Sequence, residues 1–226
     1  MDVYQNADKR IADFLAWIAY QFDRIRNSTD ERSDTLAVFD ELNTLYEQIN
    51  SYSREVFLSI LQEAYDAEAK NRRRRFDEDF LILILDEPDD FTTVTYSREL
   101  TRRAERLGEQ IAAAINRRLQ SEDRTNENGV QIPLETELQT IFDREYNSIA
   151  LLLDGTSIST VDTGRKYAFE DDEVRRVRWV TIIDGKECDY CRHLNGHIFP
   201  INRIPTKPHP RCRCYTIRFD YKYSWD

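Results

Sequence analysis

Every cysteine and every histidine of this 226-residue chain falls within residues 187–214, ECDYCRHLNGHIFPINRIPTKPHPRCRC. Thiolate and imidazole are the side chains that hold borderline metal ions, so their collection in one segment points to a metal, a set of disulfides or a reactive site. Cys188 and Cys191 form a C-x-x-C grip, in which two intervening residues turn the chain so that both sulfurs face one ion. The second grip is HPRCRC, which offers His209, Cys212 and Cys214. A tetrahedral zinc ion needs four such ligands, and five candidates are present. In an extended strand Cys212 and Cys214 point the same way, yet holding one ion with both is sterically tighter than pairing His209 with one of them. The preferred set is therefore Cys188, Cys191, His209 and Cys212, with Cys214 as a close substitute. A redox C-x-x-C pair would sit at a βαβ turn, which this sequence does not suggest, and would leave the second grip unexplained. His193 and His197, in HLNGH, raise the chemistry of an HNH-type nuclease. That chemistry requires a helix after the Asn, and Gly196 and Pro200 leave no room for one; the two histidines are expected in a loop, their rings covering the knuckle. No paired carboxylates and no nucleophile–base pair can be placed, so no catalytic residue and no small-molecule substrate is expected.

The charge pattern bears on partners. The formal net charge is −10, yet residues 174–226 carry +6 and the remainder −16. An acidic body with a basic end argues against coating by nucleic acid and allows a local contact with a phosphate backbone or an acidic protein. The longest apolar run, LILIL at 81–85, is far short of a membrane span, and the polar N-terminus resembles no targeting signal, which points to a cytoplasm. A reducing compartment favours metal binding over disulfides.

The elements that must position the thiols are mostly helical. Residues 1–87 contain neither Gly nor Pro, and Ile11, Phe14, Leu15, Ile18, Phe22 and Ile25 recur at helical spacing. NSTDERSD, residues 27–34, supplies capping candidates for a second helix whose stripe runs from Leu42 and Leu45 to Leu61 and Ala64. The two predict an antiparallel hairpin over residues 1–70, with Trp17 and Tyr20 widening its apolar face into a docking surface for a partner. The arginines of NRRRRFDEDF, residues 71–80, are expected to pair with the acids that follow them. LILIL reads equally as a short strand or the start of a helix, and DEPDD as a loop. Ser97 is the expected cap of a helix carrying Leu100, Ala104, Leu107, Ile111, Ile115 and Leu119, and SEDRTNENG the expected hinge after it. A further helix over Leu134, Leu138, Ile141, Tyr146, Ile149 and Leu152 should stop at Gly155. Residues 158–170 are ambiguous. WVTIID and CYTIRFDYKY alternate as strands on either side of the cysteines. The fold class is therefore α+β: a helical hairpin (1–70), a helical body (71–157) and a small zinc-stapled β-structure (158–226).

Residues 178–217, RWVTIIDGKECDYCRHLNGHIFPINRIPTKPHPRCRCYTI, resemble the C-terminal signature of the phage Mu F-like minor head proteins. In that family a Trp and an Asp precede C-x-x-C, a Leu-x-Gly follows, and H-P-x-C-R-C closes the motif; Trp179, Asp184, Cys188, Cys191, Leu194, Gly196, His209, Pro210, Cys212, Arg213 and Cys214 match in order. Upstream the family commonly shows an Arg-Thr-Glu-like turn where this chain reads SISTVDTGRKY. The resemblance implies a minor structural protein of a tailed-phage or prophage head. It would bind the portal or major capsid protein and act in head assembly or in organising or releasing packaged DNA. A zinc-binding nucleic-acid module is the alternative, and behind it a nuclease or toxin-type enzyme.

Overall fold

A computed structural model describes residues 3–86, 95–120, 132–183, 187–207, 212 and 214–219. Among these residues six α-helices and three strands follow in the order α1 (Val3–Ser28), α2 (Thr35–Glu68), α3 (Glu78–Leu85), α4 (Tyr96–Leu119), α5 (Leu134–Asp171), β1 (Arg176–Val180), α6 (Asp189–Leu194), β2 (Ile198–Pro200), a 3₁₀ turn (Ile201–Arg203) and β3 (Tyr215–Arg218). The protein is mainly helical with a small antiparallel sheet near its C-terminus, an α+β fold. Among the described residues no helix is long and apolar enough to cross a membrane. Residues 87–94 and 121–131, read as loop and hinge, lie outside the described residues, as do Asp184, His209, Pro210 and Arg213.

α1 and α2 form the antiparallel hairpin: the pairs Trp17 with Tyr52 and Arg24 with Glu41 run in opposite directions along the two helices. The turn between them is made by aspartates that satisfy free amides. Asp30 Oδ1 accepts from the Arg32 N–H at 2.8 Å and Asp34 Oδ1 from the Leu36 N–H at 3.0 Å, at the mouth of α2. The chain divides into two compact units, and α1, α2 and α5 each contribute a segment to both. Ala12–Glu55 and Glu78–Ala150 make one unit. Its core is drawn from Phe14, Ile18 and Phe22 of α1, Leu42 and Ile49 of α2, Leu81 and Leu85 of α3, Leu107 and Ile111 of α4, and Phe142 of α5. Tyr46, Arg103 and Glu145 are buried there together; the Tyr46 hydroxyl donates to Glu145 at 2.9 Å, and burial, then that carboxylate, pushes its pKa well up.

Met1–Ile11, Val56–Asp77 and Leu151–Asp226 make the other unit. Here α5 packs on α2 at Gly164, where any Cβ would press on the Leu61 carbonyl. Phe169 at the end of α5 packs with Val174 and with Val177 of β1. The sheet has strand order β2–β1–β3, antiparallel throughout.

Of the two readings open for LILIL the structure shows the helix, with Leu81 and Leu85 buried four residues apart. Several other expectations are corrected. Thr95, not Ser97, caps α4: its extended backbone lets Oγ1 accept from the Arg98 N–H, while Ser97 donates to Asp86 at 2.9 Å. Leu119 is exposed, and in α5 the buried line runs through Phe142 and Leu153, leaving Ile141, Tyr146 and Leu152 half-buried. Gly155 does not stop α5, because Val161, Ala168 and Phe169 continue to be buried beyond it, which offsets the roughly 1 kcal/mol that one interior glycine costs. The helix ends at a Schellman motif: the Glu173 N–H reaches the Glu170 carbonyl, the Val174 N–H reaches Phe169, and Glu173 takes the left-handed conformation, φ 57°. The expected boundary at 157/158 thus lies inside one helix. In the arginine run, Arg74 pairs with Asp171 at 2.5 Å and Arg75 with Asp66 at 3.1 Å rather than with the acids that follow.

Candidate metal centre

β1 begins the centre. Its alternation turns Val177 and Trp179 to the buried side, and Trp179 packs with Cys191, Cys212 and Cys214, rimmed by Cys188, Leu194, Phe199 and Ile204. The chain then enters α6. Cys188 caps that short helix, its sulfur accepting from the Cys191 N–H at 3.4 Å, so the residues between the two cysteines form the first turn. Thr181, just past β1, fixes the helix from the other side. Its hydroxyl donates to the Cys191 carbonyl at 2.6 Å, and its amide donates to Asn195 Oδ1 at 2.9 Å. Gly196 follows with φ 81°, a conformation that a side chain would strain, and its amide bonds the Trp179 carbonyl at 2.8 Å. That turn delivers β2 back against β1. Cys212 and Cys214 arrive at the start of β3.

The sulfur atoms of Cys191, Cys212 and Cys214 all lie within 4.8 Å of one another, and all three residues are buried; Cys191 and Cys212 are 3.4 Å apart. A tetrahedral thiolate site with metal–sulfur bonds of about 2.3 Å places its sulfurs about 3.8 Å apart. The cluster fits that geometry with little adjustment and could bind a metal ion. Both Cys212 and Cys214 reach the same point, although the spacing alone favoured only one of them. Cys188 is half-buried at the rim, and its sulfur is one of those acting on Cys191. His209 lies outside the described residues. His193 stands in the last turn of α6 rather than in a loop, and His197 follows Gly196; both are exposed, their rings 5.6 Å apart.

Without a cation Cys191 and Cys212 resist ionisation. Burial, then the sulfurs of Cys212, Cys188 and Cys214, pushes the Cys191 thiol far up, and burial raises the Cys212 thiol. A divalent cation reverses that balance, because its charge stabilises each thiolate directly. The indole N–H of Trp179 is buried beside the sulfurs with no hydrogen-bond partner among the described residues.

A polar network ties this region to the helices of its unit, and the sequence reading missed it. Arg165 of α5 donates twice to Glu68 Oε1, at 3.0 and 2.7 Å, and lies against the rings of Tyr4, Phe169 and Tyr215. Asp162, one turn earlier, takes the Tyr4 hydroxyl and Lys207, each at 2.6 Å. Arg218 of β3 pairs with Asp172 at 2.6 Å and donates to the Glu68 carbonyl. Burial would raise the Asp172 carboxyl, but the Lys70 amide and Arg218 outweigh it and hold the group below its ordinary range. Each of these residues looks like ordinary surface charge in sequence, and only the chain path brings them together. No protein-family model, curated protein or solved structure matches this chain.

Proposed function

We propose that this chain is a minor structural protein of a tailed-phage or prophage head, held near the portal, with a zinc ion stapling its C-terminal region. The observation that carries the reading is the meeting of the motif's two ends: Cys191 of C-x-x-C and both cysteines of C-x-C, which begins 21 positions further on at Cys212, bring their sulfurs to one buried point, with Cys188 at its rim. The motif's Trp179 lines the same point, and its glycine, Gly196, occupies the one turn there with positive φ. A motif shared by residue type gains weight when its members serve one local structure.

Zinc is the ion that three or four soft thiolates suit best. The ligands are Cys188, Cys191, Cys212 and Cys214, with His209 the alternative to Cys188. Three of the four are buried and the fourth caps a helix beside them, which suits a closed structural site rather than one with an open coordination position. The partners are the portal or major capsid protein through the α1–α2 hairpin, and packaged DNA through the basic C-terminal end outside the sheet, where Arg175 is exposed. The test is co-expression with the portal and major capsid proteins of the same phage or prophage, followed by mass spectrometry of purified heads. The chain is expected in the heads in few copies; heads that assemble and package DNA normally while the chain stays wholly in the soluble fraction overturn the reading.

A further inference from the structure

We propose that the outer face of the β2–β1–β3 sheet docks onto a second copy of this chain, at the aromatic and acidic patch where α1 meets α2. The inference stands apart from any role in a phage head.

The sheet face follows from register. With Val177 and Trp179 turned inward, Arg176 and Arg178 face outward. Arg178 lies opposite Ile198 on β2 and opposite Ile217 on β3, so one row across the sheet reads Ile198, Arg178, Ile217. The two isoleucines are 41% and 37% exposed. The Phe219 amide bonds the Arg176 carbonyl, extending the pairing, and the Phe219 ring lies 4.9 Å beneath the Arg178 guanidinium. The three strands contain no acidic residue. The result is a braced guanidinium between two exposed aliphatic side chains, which suits a surface that offers both aromatic rings and carboxylates.

The α1–α2 hairpin offers that surface. Trp17 packs edge-on against Tyr52, 5.1 Å between centroids, and stacks on Phe14. Tyr52 is 48% exposed, and Tyr20, one turn beyond Trp17, is 65% exposed. Asp13 lies one turn before Trp17 and Glu55 three residues after Tyr52, both exposed. Of the neighbouring cations, Arg54 is already held by Asp86 at 2.6 Å, which leaves Lys9, one turn before Asp13, against the two carboxylates. The patch is therefore aromatic and net negative, complementary in both respects to the sheet face. The division of charge along the chain, −16 before residue 174 and +6 from it, acts in the same direction over longer range. Because the two patches differ, the contact is heterologous: each docked pair leaves one face of each kind unused, and assembly continues into larger oligomers or a ring.

The experiment is sedimentation velocity on the full chain, purified with its metal, over a wide concentration range. The wild type is expected to grow beyond a dimer as concentration rises, and less so in high salt. Arg178→Glu, which spoils the sheet face, and Tyr52→Arg, which spoils the aromatic patch, are each expected to weaken self-association at least about tenfold. Both should keep wild-type helical circular dichroism and metal content. Mixing the two variants leaves one good face on each, so the mixture should form one-to-one dimers and nothing larger. A wild type that stays monomeric overturns the proposal, and so does a mixture that stays monomeric or an Arg178→Glu variant that associates like the wild type. A monomer that instead binds single-stranded DNA through Arg178 assigns the face to nucleic acid and equally overturns it.

Discussion

Replacing Gly164 by Ala tests whether the contact between α5 and α2 holds this unit together. Intrinsic helix propensity favours the substitution by about 1 kcal/mol. Packing opposes it. A Cβ on Gly164 would lie 2.5 Å from the Leu61 carbonyl oxygen, 2.9 Å from the Ala64 Cβ and 3.1 Å from the Tyr65 amide nitrogen. Two of these are main-chain atoms of α2 and cannot swing aside, so the helices must separate. Overpacking of this kind costs typically about 1–3 kcal/mol, and a clash with main chain belongs at the upper end. Separation also strains the Arg165–Glu68 pair one residue away and the buried Ala168 one turn on. After the propensity gain is subtracted, a net loss of roughly 1–2 kcal/mol remains. For a chain of this size that lowers the melting temperature by roughly 2–8 °C. Urea and thermal unfolding followed by far-ultraviolet circular dichroism measure both. A Gly164→Ala protein as stable as the wild type, or more so, would mean that propensity wins and that the close approach is absent.

Other perturbations act on the same unit. Glu173→Gly relieves a left-handed residue at the Schellman motif and should stabilise by about 1 kcal/mol in the same urea experiment; a loss of stability would contradict the strain argument. Asp172 has a folded pKa held below its unfolded value, so its pairing with Arg218 contributes fully above the ordinary carboxylate range of about 4 and is lost as pH falls through the folded value. Unfolding free energy should drop across that acid window, and less steeply in Asp172→Asn; equal slopes refute the linkage. A fragment of residues 158–226 lacks Phe57, Ile60, Leu61 and Tyr65, which belong to the same unit, and should stay unfolded even with zinc; a dispersed proton spectrum from that fragment would show otherwise.

The helices were legible where a burial stripe had no competitor. The stripes of α1 and α2 needed no interpretation, since nothing within residues 1–87 breaks them. Gly155 misled because a local stop signal was weighed without the apolar residues beyond it, and the end of α5 is made by a glutamate that no glycine pattern can flag. LILIL stayed open between strand and helix because five apolar residues carry no period, and only neighbours that bury Leu81 and Leu85 select the helix. At the candidate site, the sulfur cluster was readable from spacing, but the convergence of both Cys212 and Cys214 was not, because both precede β3 and need not follow the geometry of an extended strand. Asp162, Arg165 and Arg218 were invisible for a simpler reason. Their partners lie as far as 161 residues away, and charge in a sequence says nothing about which charge it will meet.

The central claim is that the two cysteine pairs grip one metal ion, and elemental analysis of the purified full chain tests it most directly. The account predicts one zinc ion per chain, lost together with the C-terminal sheet in Cys191→Ser and in Cys214→Ser, and retained in His193→Ala, His197→Ala and His209→Ala. Protein that carries no metal, yet keeps its sheet and presents four freely titratable thiols, would contradict it.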